Sequence, residues 1–212
     1  MLQRLGHAQG LASTPIEKWS ARDAESLREV LGAAERSAGL AARGTERIDS
    51  IVRNLRAYVG TGSQPAEPTD IDECIRSTIT LLESHLKSRH VDVVLDLALT
   101  ARVQFCPGEM NQVIMNLMLN ACHAMPEGGD VVITSEEDQS ETRIIVADSG
   151  PGVPVSRRKS IFDPFFTTHA PNQGTGLGLS VSQEIVRRHG GKLELLPARD
   201  GRGAEFAIRL PR

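Results

Sequence analysis

Positions on one helical face recur at steps of three and four through Leu27, Val30, Ala34, Ala38, Ala41, Thr45, Ile48, Val52, Leu55 and Val59. A stripe sustained over roughly four heptads predicts one long amphipathic helix. Arg36, Arg43, Arg47, Arg53 and Arg56 fall mostly off the stripe. A shorter stripe through Leu2, Leu5, Ala12, Ile16 and Trp19 precedes it, and the polar run 20–26 between them reads as a turn. The simplest expectation is an antiparallel helical hairpin. Its apolar face is too large for two helices, so pairing of two copies into a four-helix bundle would bury it. The alternative is a helical pair docked on the rest of its own chain. Gly32, Gly39 and Gly44 each cost about 1 kcal/mol against Ala within a helix and would make the bundle pliable.

The pattern changes at Gly60-Thr-Gly-Ser-Gln-Pro-Ala-Glu-Pro68, which cannot continue a helix and reads as a linker. Asp70 and Glu73 then form a candidate capping box for a helix over 71–87. Residues 91–97 alternate as a strand, with 101–105 as the expected hairpin partner. A strongly apolar helix spans 109–125, and strands follow at 130–135 and 142–147. Residues 153–174 are irregular with one short apolar cluster. A helix at 177–189 and closing strands at 192–196 and 205–210 complete the chain. The predicted fold is α+β: a helical hairpin over 1–59, a linker over 60–68, and an α/β sandwich over 69–212 with helices on one face of a mixed sheet.

Composition narrows the function. A net charge of −3 supplies no basic field for nucleic acid. Cys74, Cys106 and Cys122 match no metal or redox spacing and read as small buried hydrophobes in a reducing compartment. No apolar run is long enough to span or contact a membrane, and no signal-like segment opens the chain. The expectation is a cytoplasmic protein, or the cytoplasmic part of a larger sensor.

Four segments carry candidate chemistry. In Asn116-Leu-Met-Leu-Asn120-Ala-Cys-His123 the two asparagines share one helix face. Two amides on an apolar helix are costly without partners, and either a metal ion with phosphate oxygens or nearby backbone would satisfy them. Asp148-Ser-Gly150-Pro-Gly152 can present a carboxylate to a base or amine, with glycines that let a flat ring approach; it also reads as an ordinary turn. Ile161-Phe-Asp-Pro-Phe-Phe-Thr-Thr168 packs three of the five Phe into five residues, an anchor for a loop. Gly174-Thr-Gly176-Leu-Gly178-Leu-Ser180 runs into a helix and exposes backbone N–H groups where the helix dipole favours an anion. It is neither a Walker A loop nor the dinucleotide pattern.

In this order and spacing, residues 66–212 resemble the ATP-binding domain of two-component sensor histidine kinases, within the wider family of gyrase, Hsp90, histidine kinases and MutL. The four segments match that family's N, G1, F and G2 boxes. Residues 1–60 resemble the dimerisation and histidine-phosphotransfer hairpin. The resemblance implies ATP and Mg²⁺ as cofactors, with Asn120 as the Mg²⁺ ligand and Asn116 and His123 near the phosphates. Asp148 would accept from the adenine amino group, and Gly150 and Gly152 would shape the base pocket. Gly174, Gly176 and Gly178, with Thr175, Leu177 and Leu179, would hold the triphosphate at the hinge of a lid over 153–175. Phe162, Phe165 and Phe166 would anchor the lid, with Phe166, Thr167 and Thr168 lining the ATP site. The implied activity is transfer of the γ-phosphoryl group to a histidine, and then to an aspartate of a response regulator receiver domain, by a homodimer. ATPase members carry a Glu base where this chain has Asn116, so poor hydrolysis is expected.

Several positions depart from the pattern. The one histidine in the helical region is His7, the candidate phosphoacceptor, followed by Ala8 rather than an acidic residue, with Pro15 eight residues on. His169 stands where relatives place Lys after Thr168, and Ala204 where a Thr often follows the Gly. The competing reading is a catalytically degenerate ATP-binding dimer that signals by shape. A serine kinase of the anti-sigma type and a Hsp90- or gyrase-like ATPase fit the hairpin and Asn116 less well.

Overall fold

The computed structural model describes residues 20–59, 65–167, 175–197 and 203–212, with backbone alone at 42–43 and 46–59. The chain separates into two compact units, Met1–Val52 and Arg53–Arg212.

Helix α1 (Ala21–Val59) is continuous. The polar run expected to turn the chain is instead its start, which corrects the turn at 20–26. The Ser20 hydroxyl accepts from the Asp23 amide at 3.3 Å, and the Asp23 carboxylate accepts from the Ser20 amide at 2.9 Å. This reciprocal cap satisfies donors that the first turn leaves open, so polar residues here begin a helix rather than break one. Leu27 and Val30 are half-buried, whereas Leu31, one turn beyond Leu27, is 54% exposed. The first arm of the expected hairpin and most of the linker lie outside the described residues.

The second unit is a sandwich. Its elements are β1 (Glu67–Thr69), α2 (Ile71–Ser88), β2 (Val91–Leu97), β3 (Val103–Phe105), α3 (Pro107–Ala124), β4 (Gly129–Glu137), β5 (Glu141–Asp148), α4 (Gly178–Arg188), β6 (Lys192–Leu196) and β7 (Glu205–Pro211). A short 3-10 turn, Val155–Arg157, interrupts the irregular stretch. The main sheet has the order β2-β4-β5-β7-β6, with β2 and β4 parallel and the other pairs antiparallel. Helices α2, α3 and α4 cover one face, meeting Val131, Ile133, Ile144, Val146, Leu193, Ile208 and Leu210 in a common core. Val94 and Val132, which alternate to the other face, are exposed. The fold is therefore the α+β sandwich with a mixed sheet that the element pattern predicts. Among the described residues no helix is long and apolar enough to cross a membrane.

One pairing departs from expectation. β3 is not the hairpin partner of β2; it pairs antiparallel with β1 in a separate two-stranded sheet, Glu67 opposite Phe105. Glu67 and Pro68, read as linker, are thus already in a strand. The cause lies in α2. The Asp72 carboxylate accepts from the Leu99 amide at 3.0 Å and from the Ser135 hydroxyl at 2.8 Å, while Ser135 Oγ accepts from the Ala98 amide at 3.0 Å. These bonds hold the chain leaving β2 to the end of α2 and carry it away from a hairpin. Thr69 Oγ1 donates to the Phe105 carbonyl at 2.6 Å and locks the small sheet. His189 is the C-cap of α4 and is half-buried. It stacks on Phe105 with ring centroids 3.7 Å apart, and Nε2 lies 2.7 Å from Glu109 Oε2.

Replacing Asp72 with Ala removes two bonds to a carboxylate and leaves the Leu99 amide without its acceptor. The expected loss is about 2 kcal/mol of unfolding free energy in a denaturant titration.

Candidate nucleotide site on the third helix

Helix α3 forms the floor of the site. Pro107 at its start suits a position where no amide partner is needed, and Met110, Val113, Ile114, Leu117, Met118, Ala121 and Cys122 are buried in the core. On its remaining face Asn116 and Asn120 are half-buried, one turn apart. Asn116 Nδ2 donates to the Gly178 carbonyl and to Ser182 Oγ, both at 3.1 Å. The alternative of backbone satisfaction thus holds for Asn116, though the backbone is that of α4, far away in sequence. Asn120 differs: its Nδ2 is buried with no hydrogen-bond partner. An orphaned amide in a core helix is costly, and a ligand oxygen would relieve it. His123 lies in the last turn of α3, half-buried.

The far end of α3 meets a corner built by glycines. Asp148 closes β5, and its Oδ1 accepts from the Gly150 amide at 2.9 Å and the Ala204 amide at 3.2 Å. The Asp148 amide donates to the Ala204 carbonyl, and the Gly203 amide donates to the Gly150 carbonyl. Gly203 has φ +73°, and a Cβ there would sit 1.8 Å from the Asp148 carbonyl oxygen. At Gly150 a Cβ would press on Asp148 Oδ1, Met125 and Ala124. Burial raises the Asp148 pKa above the ordinary carboxylate range, and the two backbone N–H bonds oppose that rise. The Asp148 segment is a turn, as one reading had it, and a turn that fixes a carboxylate.

The third part surrounds the start of α4. Leu177 is its N-cap and Gly178 its first residue; the Leu177 amide donates to Thr175 Oγ1 at 3.3 Å. Leu179 packs against the core. Gly176, at φ +67°, lies against the backbone of Phe165 and Phe166, so the F and G2 segments touch. Phe162 makes an edge-on contact with Phe206, and Phe166 packs on the core. Phe165 does not anchor the loop as expected. It is 73% exposed with φ +66°, because the turn that brings its carbonyl onto Gly176 points its ring outward. Thr167 is exposed. His7, Thr168 and Gly174 lie outside the described residues.

Asn116 faces α4, and Ala124 faces Gly150 eight residues later. At 1.5 Å per residue these ends are about 12 Å apart, so the floor suits an elongated ligand with a base at one end and an anion at the other. Sequence reasoning missed Ser182, Met125 and the Ala204 amide as members of the site. Ser182 is a fully buried polar residue. Its position, four residues after Gly178, was the available sign.

The architecture defines the class: a nucleotide-binding sandwich whose site lies between one core helix, a glycine-built strand end and a glycine-rich helix start. The chain belongs to the histidine kinase-, DNA gyrase B- and HSP90-like ATPase family, whose model matches residues 107–212. The sensor histidine kinase ZraS of Escherichia coli is 32% identical over 181 residues, covering 85% of this chain and 38% of that kinase. The chain therefore spans well under half of such curated relatives. The catalytic domain of histidine kinase ThkA, in a nucleotide-free form, is 34% identical with TM-score 0.63, covering 70% of this chain and 96% of that one. ThkA solved in complex with the response regulator protein TrrA is 28% identical with TM-score 0.64, covering 79% and 48%.

Two glycine substitutions test the corner. Gly203→Ala forces a positive φ and a clash, and is expected to cost more than about 2 kcal/mol in thermal unfolding. Gly108→Ala, in the first turn of α3 with open space around its Cβ, is expected to be neutral or to stabilise by up to about 1 kcal/mol.

Proposed function

We propose that this chain is the kinase core of a two-component signalling system, which binds Mg²⁺–ATP and transfers the γ-phosphoryl group to a histidine and then to a response regulator aspartate. The observation that carries the reading is the pairing on α3 of an orphaned Asn120 amide with the hydrogen-bonded Asn116 carboxamide. Neither can serve as a general base. Water is therefore not activated from the position where ATPase members carry a Glu base, and the phosphoryl group is kept for a positioned acceptor. The kinship with ZraS and ThkA supports the same reading, and ThkA's partner TrrA suggests a receiver domain as the second acceptor.

In this reading residues 69–212 hold the nucleotide and 1–59 supply the homodimeric helical hairpin, with His7 as phosphoacceptor. The kinase core acts in the cytoplasm. Asp148 takes the adenine amino group with the carboxylate oxygen that does not hold the backbone, while Gly150 and Gly152 admit the ring. Mg²⁺ fits as a guest of the nucleotide. Among the described residues no cluster of His, Cys, Asp or Glu could hold a metal by itself, and Mg²⁺ is commonly bound by few protein ligands plus phosphate oxygens. Asn120 would ligate it through Oδ1, and the ion would neutralise charge developing on the transferred group. Thr175, Gly176, Leu177, Gly178 and Leu179 lie at the helix start that would receive the phosphates, with Gly174, Thr167, Thr168, Phe166 and His123 completing the pocket.

Incubation with γ-labelled ATP and Mg²⁺ tests the reading. Acid-labile label on the wild type that disappears in His7→Ala is the expected result. Label retained in that variant moves the acceptor elsewhere. ATP binding with no label selects the alternative favoured by Ala8 in place of an acidic neighbour, an ATP-binding dimer that signals by shape.

Asp148→Asn separates binding from stability. Asn keeps the acceptor for both backbone amides but sets a donor against the adenine amino group, so ATP binding is expected to fall at least 100-fold in a titration. A carboxyl whose pKa is raised on folding binds more protons folded than unfolded. Its contribution to stability therefore falls as pH rises from the unfolded pKa through the folded one. Without ligand, Asp148→Asn is accordingly expected to melt no lower than wild type at pH 7, and this relative advantage should shrink in acid.

A further inference from the structure

Asn116 has two amide hydrogens, and both are committed to α4: one to the Gly178 carbonyl and one to Ser182 Oγ. The Gly178 carbonyl can only accept, so it settles which end of the carboxamide is nitrogen. The polar capacity left to Asn116 is the lone pairs of Oδ1. Two further features preserve that state. Ser182 is fully buried, so its hydroxyl has no bulk water to turn to. Gly178 carries no Cβ, and one built there would come into contact with the Asn116 carboxamide, 3.7 Å from Oδ1.

We propose that Ser182 is a positioning residue for the cation side of this site: with the Gly178 carbonyl it locks the Asn116 carboxamide so that its oxygen, and not its nitrogen, is offered to the ligand. An oxygen acceptor repels phosphate oxygens and attracts a hard cation or the protons of its bound water. Asn116 thereby favours the metal-loaded nucleotide over the metal-free one. The Asn116 oxygen thus stands beside Asn120, the residue read above as the ion's ligand, and its direction is imposed by α4 rather than by α3. Without the Ser182 hydroxyl the carboxamide keeps one anchor of two, the Gly178 carbonyl, and the direction of its oxygen is held less firmly. This inference rests on the reading of the site as a Mg²⁺–ATP pocket.

A shape-matched pair of substitutions in the full chain isolates the hydroxyl. Ser182→Thr keeps it and Ser182→Val does not, while both add the same bulk. Binding of a fluorescent trinitrophenyl-ATP is measured as Mg²⁺ is titrated and again in EDTA, beside thermal melting of each variant. The expected result is an Mg²⁺ midpoint about five-fold higher for Ser182→Val than for Ser182→Thr, the worth of one neutral hydrogen bond, with equal affinities in EDTA. Equal midpoints for the two variants would overturn the proposal. So would a Val-specific loss as large in EDTA as in Mg²⁺, which would mean that the hydroxyl serves the fold alone. A wild-type chain that binds no nucleotide in either condition would instead remove the pocket reading itself, and this inference with it.

Discussion

The structure depends on a single helix having to be core and binding surface at once. α3 buries seven apolar side chains between α2, α4 and the sheet, so its position is determined by packing. The same helix carries two carboxamides that apolar neighbours cannot satisfy. One is satisfied by α4, which fixes the start of that helix against α3. The other remains a buried donor without a partner. At the opposite end of α4 the same two helices are tied by Glu109, which meets both Arg188 and His189. The glycine-rich helix start is thus held by a pair of helices tied at both ends.

The base end follows from backbone geometry. Asp148 keeps its carboxylate in place because two backbone amides, one local and one from the β7 side, converge on a single oxygen. That convergence requires three chain segments to approach more closely than side chains allow, and Gly150, Gly152 and Gly203 are the residues that permit it. The second of those amides belongs to Ala204, and the contact involves no side chain. The corner is costly in isolation, since a buried carboxylate with a raised pKa opposes folding at neutral pH. Such a cost is expected where a group is held ready for a partner that only a ligand supplies.

Much of this was readable in the chain. The period of 3.6 and the alternation of strands located every helix and strand of the main sheet, because those periods arise from geometry within one element. Asn116, Asn120, Asp148, Gly150, Gly152, Gly176 and Gly178 stood out by the order and spacing of their segments together, since each segment alone also reads as backbone satisfaction or an ordinary turn. What the sequence could not determine were the choices that depend on a distant partner. β3 pairs with β1, not β2, because Asp72 and Ser135 redirect the chain between them. Phe165 faces outward because its carbonyl is needed at Gly176. Ser20 caps a helix that its polar neighbours seemed to interrupt. The Gly178 carbonyl and Ser182 hold the Asn116 carboxamide from 62 and 66 residues away. The Ser20 cap is local, closed by Asp23 three residues on; the others are hydrogen bonds or close approaches between separate segments, and periodicity within a segment carries no information about which remote group will meet it.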